Sequence, residues 1–215
     1  PGTVGSDLDL EEAVKSGALS EEVLNERAGK VLELLLKSGQ KKPTLPKNMQ
    51  AQHLAIARRA AEESAVLGKN QNILPFTAKQ PILVIGAFAK QPRYQGGGSS
   101  KVIPVLLENA LEELRKLGAE VVFAEGYARN STEPDPSLIQ EAASLAKQYP
   151  QTVVFAGLPE SCETEGEDRI TLSLPASHNA LIEAVLEANP EAAVVLTSGS
   201  PVTLPWVSKA KAILL

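Results

Sequence analysis

Residues 81–88, PILVIGAF, form an unbroken apolar run of the length of one strand. Further runs of this kind occur at 121–124 (VVFA), 152–158 (TVVFAGL) and 193–197 (AVVLT). Short apolar runs without a polar face are typical of parallel strands that are buried on both sides. We therefore expect a buried parallel sheet from residue 81 onwards.

Helical segments are predicted between these runs, over 102–117, 136–147 and 176–188. Because strands and helices alternate, the chain should adopt an α/β fold, a doubly wound, mostly parallel sheet with helices on both faces. Ligands of such sheets bind outside the carboxyl ends of the strands. The loops after residues 88, 127, 158 and 198 should therefore hold any site.

The first eighty residues show a different pattern, which predicts an α-helical segment ahead of the sheet. Helices are expected near 9–17, over 21–37 with Ser20 as the N-cap, and over 50–67. Residues 40–47 contain two prolines and three lysines, and we interpret them as a linker.

Composition excludes several classes of protein. Lys and Arg number 21 against 26 Asp and Glu, and this net charge of −5 argues against a nucleic-acid partner. No apolar run approaches the ~18 residues of a membrane helix, so we expect a soluble protein, cytoplasmic or secreted, without a membrane partner. Cys162 is the only cysteine, which excludes an intrachain disulfide and a multi-thiolate metal site.

A glycine-rich segment, GGGSS at 96–100, stands before one of the predicted helices. Exposed N–H groups and the helix dipole could make it an anion cradle. It matches neither glycine-rich nucleotide-binding pattern, so a flexible turn is an equally good interpretation. Three glycines also allow a close approach of the backbone to a ligand.

The acidic loop, residues 159–169, is a second candidate site. Its carboxylates could form a solvated surface, a calcium loop, or a general acid whose pKa is raised by the neighbouring carboxylates. The calcium-loop pattern is absent and Arg169 lies within the cluster, which disfavours the second interpretation. The carboxylates are those of Glu160, Glu163, Glu165, Glu167 and Asp168.

Other reactive side chains lack a motif. Neither His53 nor His178 stands near a serine or cysteine nucleophile pattern, so both are interpreted as structural or surface residues. Cys162 is interpreted as an inert thiol, and Trp206 as a core or interface residue.

Several segments, taken in order, resemble the second domain of glycoside hydrolase family 3 β-glucosidases. The stretch 90–100 ends in YQGGGSS, and 157–175 contains GLPE, ETEGEDR and LSLP. The stretch 198–202, SGSPV, also fits. Upstream, 19–27 resembles the last helix of that family's barrel domain, and 69–75 resembles the entry to its second domain.

This resemblance implies a (β/α)8-type barrel followed by an (α/β)6 sandwich, and retaining hydrolysis of β-glucosides or related glycosides. Residues 1–39 would be a helical remnant of the barrel domain, and 40–80 a linker and docking helix. Residues 81–215 would be the sandwich domain, truncated at its C-terminus because the chain stops in a strand-like apolar run. The family's nucleophilic Asp lies in a Ser/Thr-Asp-Trp motif of the barrel, which this chain lacks.

The resemblance also implies roles in the two loops. Glu165 matches the acid/base position, and Glu163 is the reserve candidate. Ser99, with Gly98 beside it, matches a position that contacts the bound sugar. Asp168 and Arg169 are expected to fix the acidic loop by a charge-assisted pair. Because two carboxylates suffice for retaining hydrolysis, no metal or organic cofactor is implied.

Two functions are compatible with these patterns. The first is part of a retaining β-glucosidase-type hydrolase that supplies the acid/base loop and part of the sugar site. Its substrate would be a β-linked glucoside or related glycoside, and its partner would be the missing barrel domain of the same protein. The chain alone is then expected to be inactive. The alternative is a non-catalytic, doubly wound module that binds a ligand or interacts with another protein.

Overall fold

Six strands form one sheet in the computed structural model, which describes residues 6–39, 44, 46–99 and 101–215. The order across the sheet is β1-β6-β5-β4-β2-β3, and all neighbouring pairs are parallel except the antiparallel pair β1 and β6. The predicted doubly wound, mostly parallel α/β sheet is confirmed. The strands are β1 (Leu67–Asn70), β2 (Ile82–Ile85), β3 (Val121–Ala124), β4 (Gln151–Gly157), β5 (Ala193–Thr197) and β6 (Ala212–Leu214).

Helices cover both faces of this sheet. Because successive side chains of a strand point to opposite sides, Leu83 and Ile85 pack in one core, with side chains of helices α6 (Pro136–Ala146) and α7 (Ala176–Ala188). Ile82 and Val84 pack in the other core, with Leu111 of helix α5 (Ala110–Lys116). Both faces of β2 are therefore buried, which explains its unbroken apolar sequence. The helices around the sheet are α4 (Ala87–Lys90), α5 (Ala110–Lys116), α6 (Pro136–Ala146) and α7 (Ala176–Ala188).

The predicted helix over 102–117 is wrong in its first half, since the structure is helical only over Ala110–Lys116. Pro104 disfavours the helical conformation for Ile103, the residue before it. The side chain of Asn109 then caps α5 by accepting a hydrogen bond from the N–H of Glu112 at 2.9 Å. This cap fixes a later helix start than the apolar periodicity predicts.

The predicted α-helical N-terminal segment is confirmed, with α1 (Ser6–Lys15), α2 (Glu21–Gly39) and α3 (Met49–Ser64). Ser20 accepts a hydrogen bond from the N–H of Val23 at 3.3 Å, as expected of an N-cap. Helix α3 ends earlier than predicted, because the chain then enters β1 and pairs with β6. Residues 1–59 and 60–215 form separate compact units. Most of the predicted linker at 40–47 and residue 100 lie outside the described residues.

The strand order determines where a site can form. Strand β3 lies on one side of β2, whereas β4, β5 and β6 lie on the other. The direction of the connections therefore reverses between β2 and β4. In open α/β sheets, a ligand crevice forms at this point, outside the carboxyl ends of the strands. The glycine-rich segment and the acidic loop follow these two strands.

Candidate active site

Three loops meet at the carboxyl edge of the sheet, at residues 91–99, 158–172 and 198–203. The first two are joined by a parallel bridge between Gly97 and Thr164. Within this bridge, the N–H of Gly97 donates to the carbonyl oxygen of Glu163 at 2.9 Å. Residues of all three loops line a cleft of about 850 Å³. The cleft lies where ligands of doubly wound sheets bind.

The three glycines let the acidic loop approach the backbone of the first loop. A methyl group on Gly96 would stand 2.8 Å from the carbonyl oxygen of Glu163, and one on Gly97 would stand 2.8 Å from Oγ1 of Thr164. On Gly98, whose φ is +89°, it would stand 2.7 Å from Cβ of Glu165. The helix dipole on which the anion-cradle interpretation relied is missing here, because among the described residues the next helix, α5, begins only at Ala110. In the structure, the segment that the glycine backbone approaches closely is the acidic loop.

Glu165, the predicted acid/base residue, is exposed on the wall of the cleft. One of its carboxylate oxygens accepts hydrogen bonds from the hydroxyl of Ser99 and, at 3.0 Å, from the N–H of Ser99. Both bonds favour the charged form, so they lower the pKa of Glu165 below its ordinary value. The structure thus brings Glu165 together with Ser99 and Gly98, the residues predicted to contact the sugar.

Glu163, the reserve candidate, lies in a different environment. Its carboxylate forms an ion pair with Nη2 of Arg93 at 2.5 Å, and the two side chains are only 13% and 7% exposed, respectively. It also accepts hydrogen bonds from the hydroxyl of Ser200 at 2.5 Å and from the N–H of Gly199 at 3.0 Å. Burial would raise the pKa of Glu163, but the Ser200, Gly199 and Arg93 donors outweigh burial and lower the pKa.

Asp168 and Arg169 do not form the predicted pair. Within the part of the chain that the structure describes, no ion pair joins them. Arg169 instead donates from Nη2 to the carbonyl oxygen of Pro201 at 2.8 Å, while Asp168 is exposed. This bond uses Nη2 alone, and Nη1 of the half-buried guanidinium has no hydrogen-bond partner among the described residues. Arg169 therefore connects the acidic loop to the loop after β5.

Glu160 forms a further ion-paired contact at the start of the acidic loop. Its carboxylate lies 3.2 Å from Nη2 of Arg129 and 3.4 Å from Nζ of Lys101. Burial would raise the pKa of Glu160, but these two cations lower it. The expectation that neighbouring carboxylates raise one another's pKa is therefore wrong for Glu160, Glu163 and Glu165, because each has its own donors.

A buried aromatic cluster contacts the end of β4, directly before the acidic loop. The rings of His178 and Tyr127 are in contact, with centroids 3.9 Å apart and ring planes inclined at 39°. Nδ1 of His178 accepts a hydrogen bond from the N–H of Gly157, the last residue of β4, at 3.2 Å. Burial lowers the pKa of His178 to about 4. The interpretation of His178 as a structural residue is consistent with these contacts.

Sequence reasoning missed the cationic partners of the two loops. Arg93 and Arg129 were not singled out, although each neutralises a carboxylate of the acidic loop. The available signal was charge complementarity, since both arginines lie in other loops at the predicted carboxyl edge. The described residues contain no group of three or more His, Cys, Asp or Glu side chains placed to hold a metal ion. Among them, no helix has the length and apolar character needed to cross a membrane.

The fold and the cleft define an α/β sandwich domain that carries a carboxylate loop at its ligand-binding edge. A family model described as the glycosyl hydrolase family 3 C-terminal domain matches residues 65–215. Thermostable beta-glucosidase B of Acetivibrio thermocellus is 42% identical over 213 residues, which are 97% of this chain and 28% of that protein. An exo-alpha-(1->6)-L-arabinopyranosidase of Bifidobacterium longum is 43% identical over 173 residues, 75% of this chain and 23% of that protein.

Solved structures show the same relationship. The GH3 beta-glucosidase of Bifidobacterium adolescentis matches with a TM-score of 0.82 and 36% identity, over 99% of this chain and 32% of that chain. The chain therefore belongs to glycosyl hydrolase family 3, and the predicted resemblance is confirmed. The chain spans less than a third of the length of each of these three relatives.

Proposed function

We propose that this chain is the acid/base-bearing part of a retaining β-glucosidase-type glycoside hydrolase. In this proposal, Glu165 protonates the leaving oxygen of a β-linked glucoside or related glycoside, and then activates the water that releases the sugar. The position of Glu165, exposed on a cleft at the reversal point of the sheet, carries this proposal. Ser99 and Gly98 contribute to the sugar site.

The nucleophile is then supplied by a barrel domain of a longer protein, and the chain alone is inactive. Residues 1–39 belong to the end of that barrel domain, and 40–80 form the connection, which also supplies the edge strand β1. Residues 81–215 form the larger part of the sandwich domain. The family match over residues 65–215 supports a domain that also includes β1.

Glu165 is a better acid/base candidate than Glu163 because its carboxylate is accessible. Glu163 uses both oxygens for Arg93, Gly199 and Ser200, so neither oxygen is free of a protein donor. Among the described residues, Ser99 is the one hydrogen-bond donor to the carboxylate of Glu165, and it lies at the surface. A bound sugar that engages Ser99 could replace that bond and leave the carboxyl group free for proton transfer.

The lowered pKa of Glu165 in this chain is compatible with an acid role in the complete site. Retaining glycosidases place the nucleophile carboxylate about 5–5.5 Å from the acid/base carboxyl group. A second negative charge at that distance raises the pKa of Glu165, so that it holds a proton for the first step. Once the nucleophile is glycosylated its charge is lost, the pKa of Glu165 falls, and the carboxylate acts as a base.

The sugar is defined only as a class. The relative of 42% identity is named a beta-glucosidase, and the relative of 43% identity is named for an L-arabinopyranoside. Similarity over this chain therefore does not separate glucosides from related pyranosides. Most contacts to the ring hydroxyls belong to the barrel domain in this proposal.

The proposal is tested by Glu165→Ala in the full-length protein, assayed on aryl β-glucosides. Loss of a general acid costs about 10²–10⁴-fold in rate where the leaving group needs protonation. We expect such a loss in kcat/KM for the phenyl glucoside, a much smaller loss for the 2,4-dinitrophenyl glucoside, and formation of glucosyl azide when azide is added. Glu113→Gln, which removes an exposed ion pair with Lys116, is the matched control. Equal losses on both substrates without azide product would favour the non-catalytic module.

A further inference from the structure

Glu163 ties three loops together through one carboxylate. Its side chain belongs to the acidic loop, Arg93 to the loop after α4, and Gly199 and Ser200 to the loop after β5. The three contacts are 2.5 Å from Arg93, 3.0 Å from Gly199 and 2.5 Å from Ser200. Charged, hydrogen-bonded contacts of this length fix direction as well as distance.

The backbone of Glu163 is held as firmly as its side chain. Its carbonyl oxygen accepts the N–H of Gly97 at 2.9 Å, and the N–H of Glu165 donates to the carbonyl of Gly97 at 3.4 Å. Only Thr164 separates Glu163 from Glu165, and Thr164 forms the bridge to Gly97. The anchoring of Glu163 therefore determines the direction in which the side chain of Glu165 projects from the acidic loop.

The ion pair cannot be loosened without consequence, because Arg93 is buried. Arg93 as a whole residue is 9% exposed, and its Nε has no hydrogen-bond partner among the described residues. Glu163 is the one carboxylate that pairs with it in the described part of the chain. Removal of the carboxylate charge leaves a buried guanidinium uncompensated, which is strongly unfavourable. The loops must then move apart so that water reaches Arg93.

We propose that Glu163 is a positioning residue, whose ion pair with Arg93 holds Glu165 in the direction needed for proton transfer. Since this role depends on the proposed function of Glu165, its test must separate the two. Glu163 touches no reacting atom in this scheme. Its loss should impair the step that needs the proton, and should leave sugar binding by the rest of the site unchanged.

The test compares Glu163→Gln with Glu165→Ala in the full-length protein on the same two substrates. A misplacement of about 1 Å can cost about 10²-fold in rate. We expect Glu163→Gln to lower kcat/KM for the phenyl glucoside by about 10–100-fold, and to leave kcat/KM for the 2,4-dinitrophenyl glucoside within about threefold. Azide should yield glucosyl azide with Glu165→Ala only, because Glu163→Gln retains the Glu165 carboxylate.

Each outcome decides between the two roles. Equal losses on both substrates for Glu163→Gln, with normal leaving-group dependence in Glu165→Ala, would overturn the positioning role alone. Glucosyl azide from Glu163→Gln, with none from Glu165→Ala, would exchange the roles of the two carboxylates. Absence of leaving-group dependence in Glu165→Ala would refute the proposed function instead.

If Glu163→Gln does not fold, Ser200→Ala removes one donor and retains the ion pair. A smaller loss confined to the phenyl glucoside then supports the role, and a uniform loss refutes it.

Discussion

Alanine at Gly98 should damage activity far more than stability. Gly98 has a φ of +89°, and a methyl group there would stand 2.7 Å from Cβ of Glu165. Gly118 provides a matched control, because its φ is +87° and an added methyl group meets no atom within 4 Å. The two substitutions therefore impose the same backbone strain, and only one of them collides with the acidic loop.

The magnitudes follow from this comparison. An L-residue in the left-handed region costs about 1–2 kcal/mol, and in a domain of this size 1 kcal/mol shifts Tm by about 2–4 °C. Each variant should therefore melt about 2–8 °C below the parent. The collision at Gly98 adds a displacement of about 1 Å, because carbon atoms prefer separations of about 3.5–4.0 Å. Glu165 is exposed and can move, so the displacement should reduce kcat by up to about 10²-fold.

Two measurements check this prediction. Thermal unfolding of the 215-residue chain gives the strain common to Gly98→Ala and Gly118→Ala. Hydrolysis of phenyl β-glucoside by the full-length protein gives the cost of moving Glu165. If Gly98→Ala loses no more activity than Gly118→Ala, then contact with the glycines does not position Glu165 and the reasoning fails.

Three further predictions concern the chain itself. The purified chain should hydrolyse no aryl β-glucoside above the buffer rate, and turnover that Glu165→Gln abolishes would contradict this. Tyr127→Phe removes the hydroxyl that accepts the N–H of Phe88 at 3.1 Å, so it should cost about 1–3 kcal/mol in urea unfolding, whereas Tyr94→Phe, at a side chain 44% exposed, should cost under about 0.5 kcal/mol. The pKa of His178 is about 4 in the folded chain and about 6.5 when unfolded. Between these two pKa values, the unfolded chain binds a proton at His178 that the folded chain does not bind. The free energy of unfolding should therefore be unaffected by His178 above pH about 6.5, and should fall towards pH 4 by up to about 1.4 kcal/mol per pH unit. His178→Asn should flatten this slope, and an unchanged slope would show that His178 is not its source.

The central strands could be predicted because burial on both faces leaves a local signal. The run at 81–88 carries no polar face, and Ile82–Ile85 is fully buried in the structure. Strand β1 left no such signal, since LGKN contains three residues of low strand propensity and is mostly exposed. Its pairing with β6 joins two distant parts of the chain, which a local pattern does not report.

The candidate site was predictable to the extent that it lies in two segments. The resemblance singled out Glu165 and Ser99, and the structure hydrogen-bonds them to each other. Arg93 and Ser200 lie in segments that the resemblance includes, but their contacts with Glu163 were missed because each is far from Glu163 in sequence. Only the folded loops reveal that a carboxylate chosen as a second acid/base candidate has an arginine as its partner.

The difference between Glu163 and Glu165 lies in how permanent their donors are. Ser200, the N–H of Gly199 and the buried Arg93 lower the pKa of Glu163, and all three donors belong to the protein's own loops. In the part of the chain that the structure describes, the donors to Glu165 come from Ser99 alone, at the surface of the cleft, where a ligand can replace them. A group that must hold a proton in one step and release it in the next needs a pKa that responds to its surroundings. Of these two carboxylates, only that of Glu165 meets this requirement, and the fixed charge of Glu163 is suited to holding the loop in place.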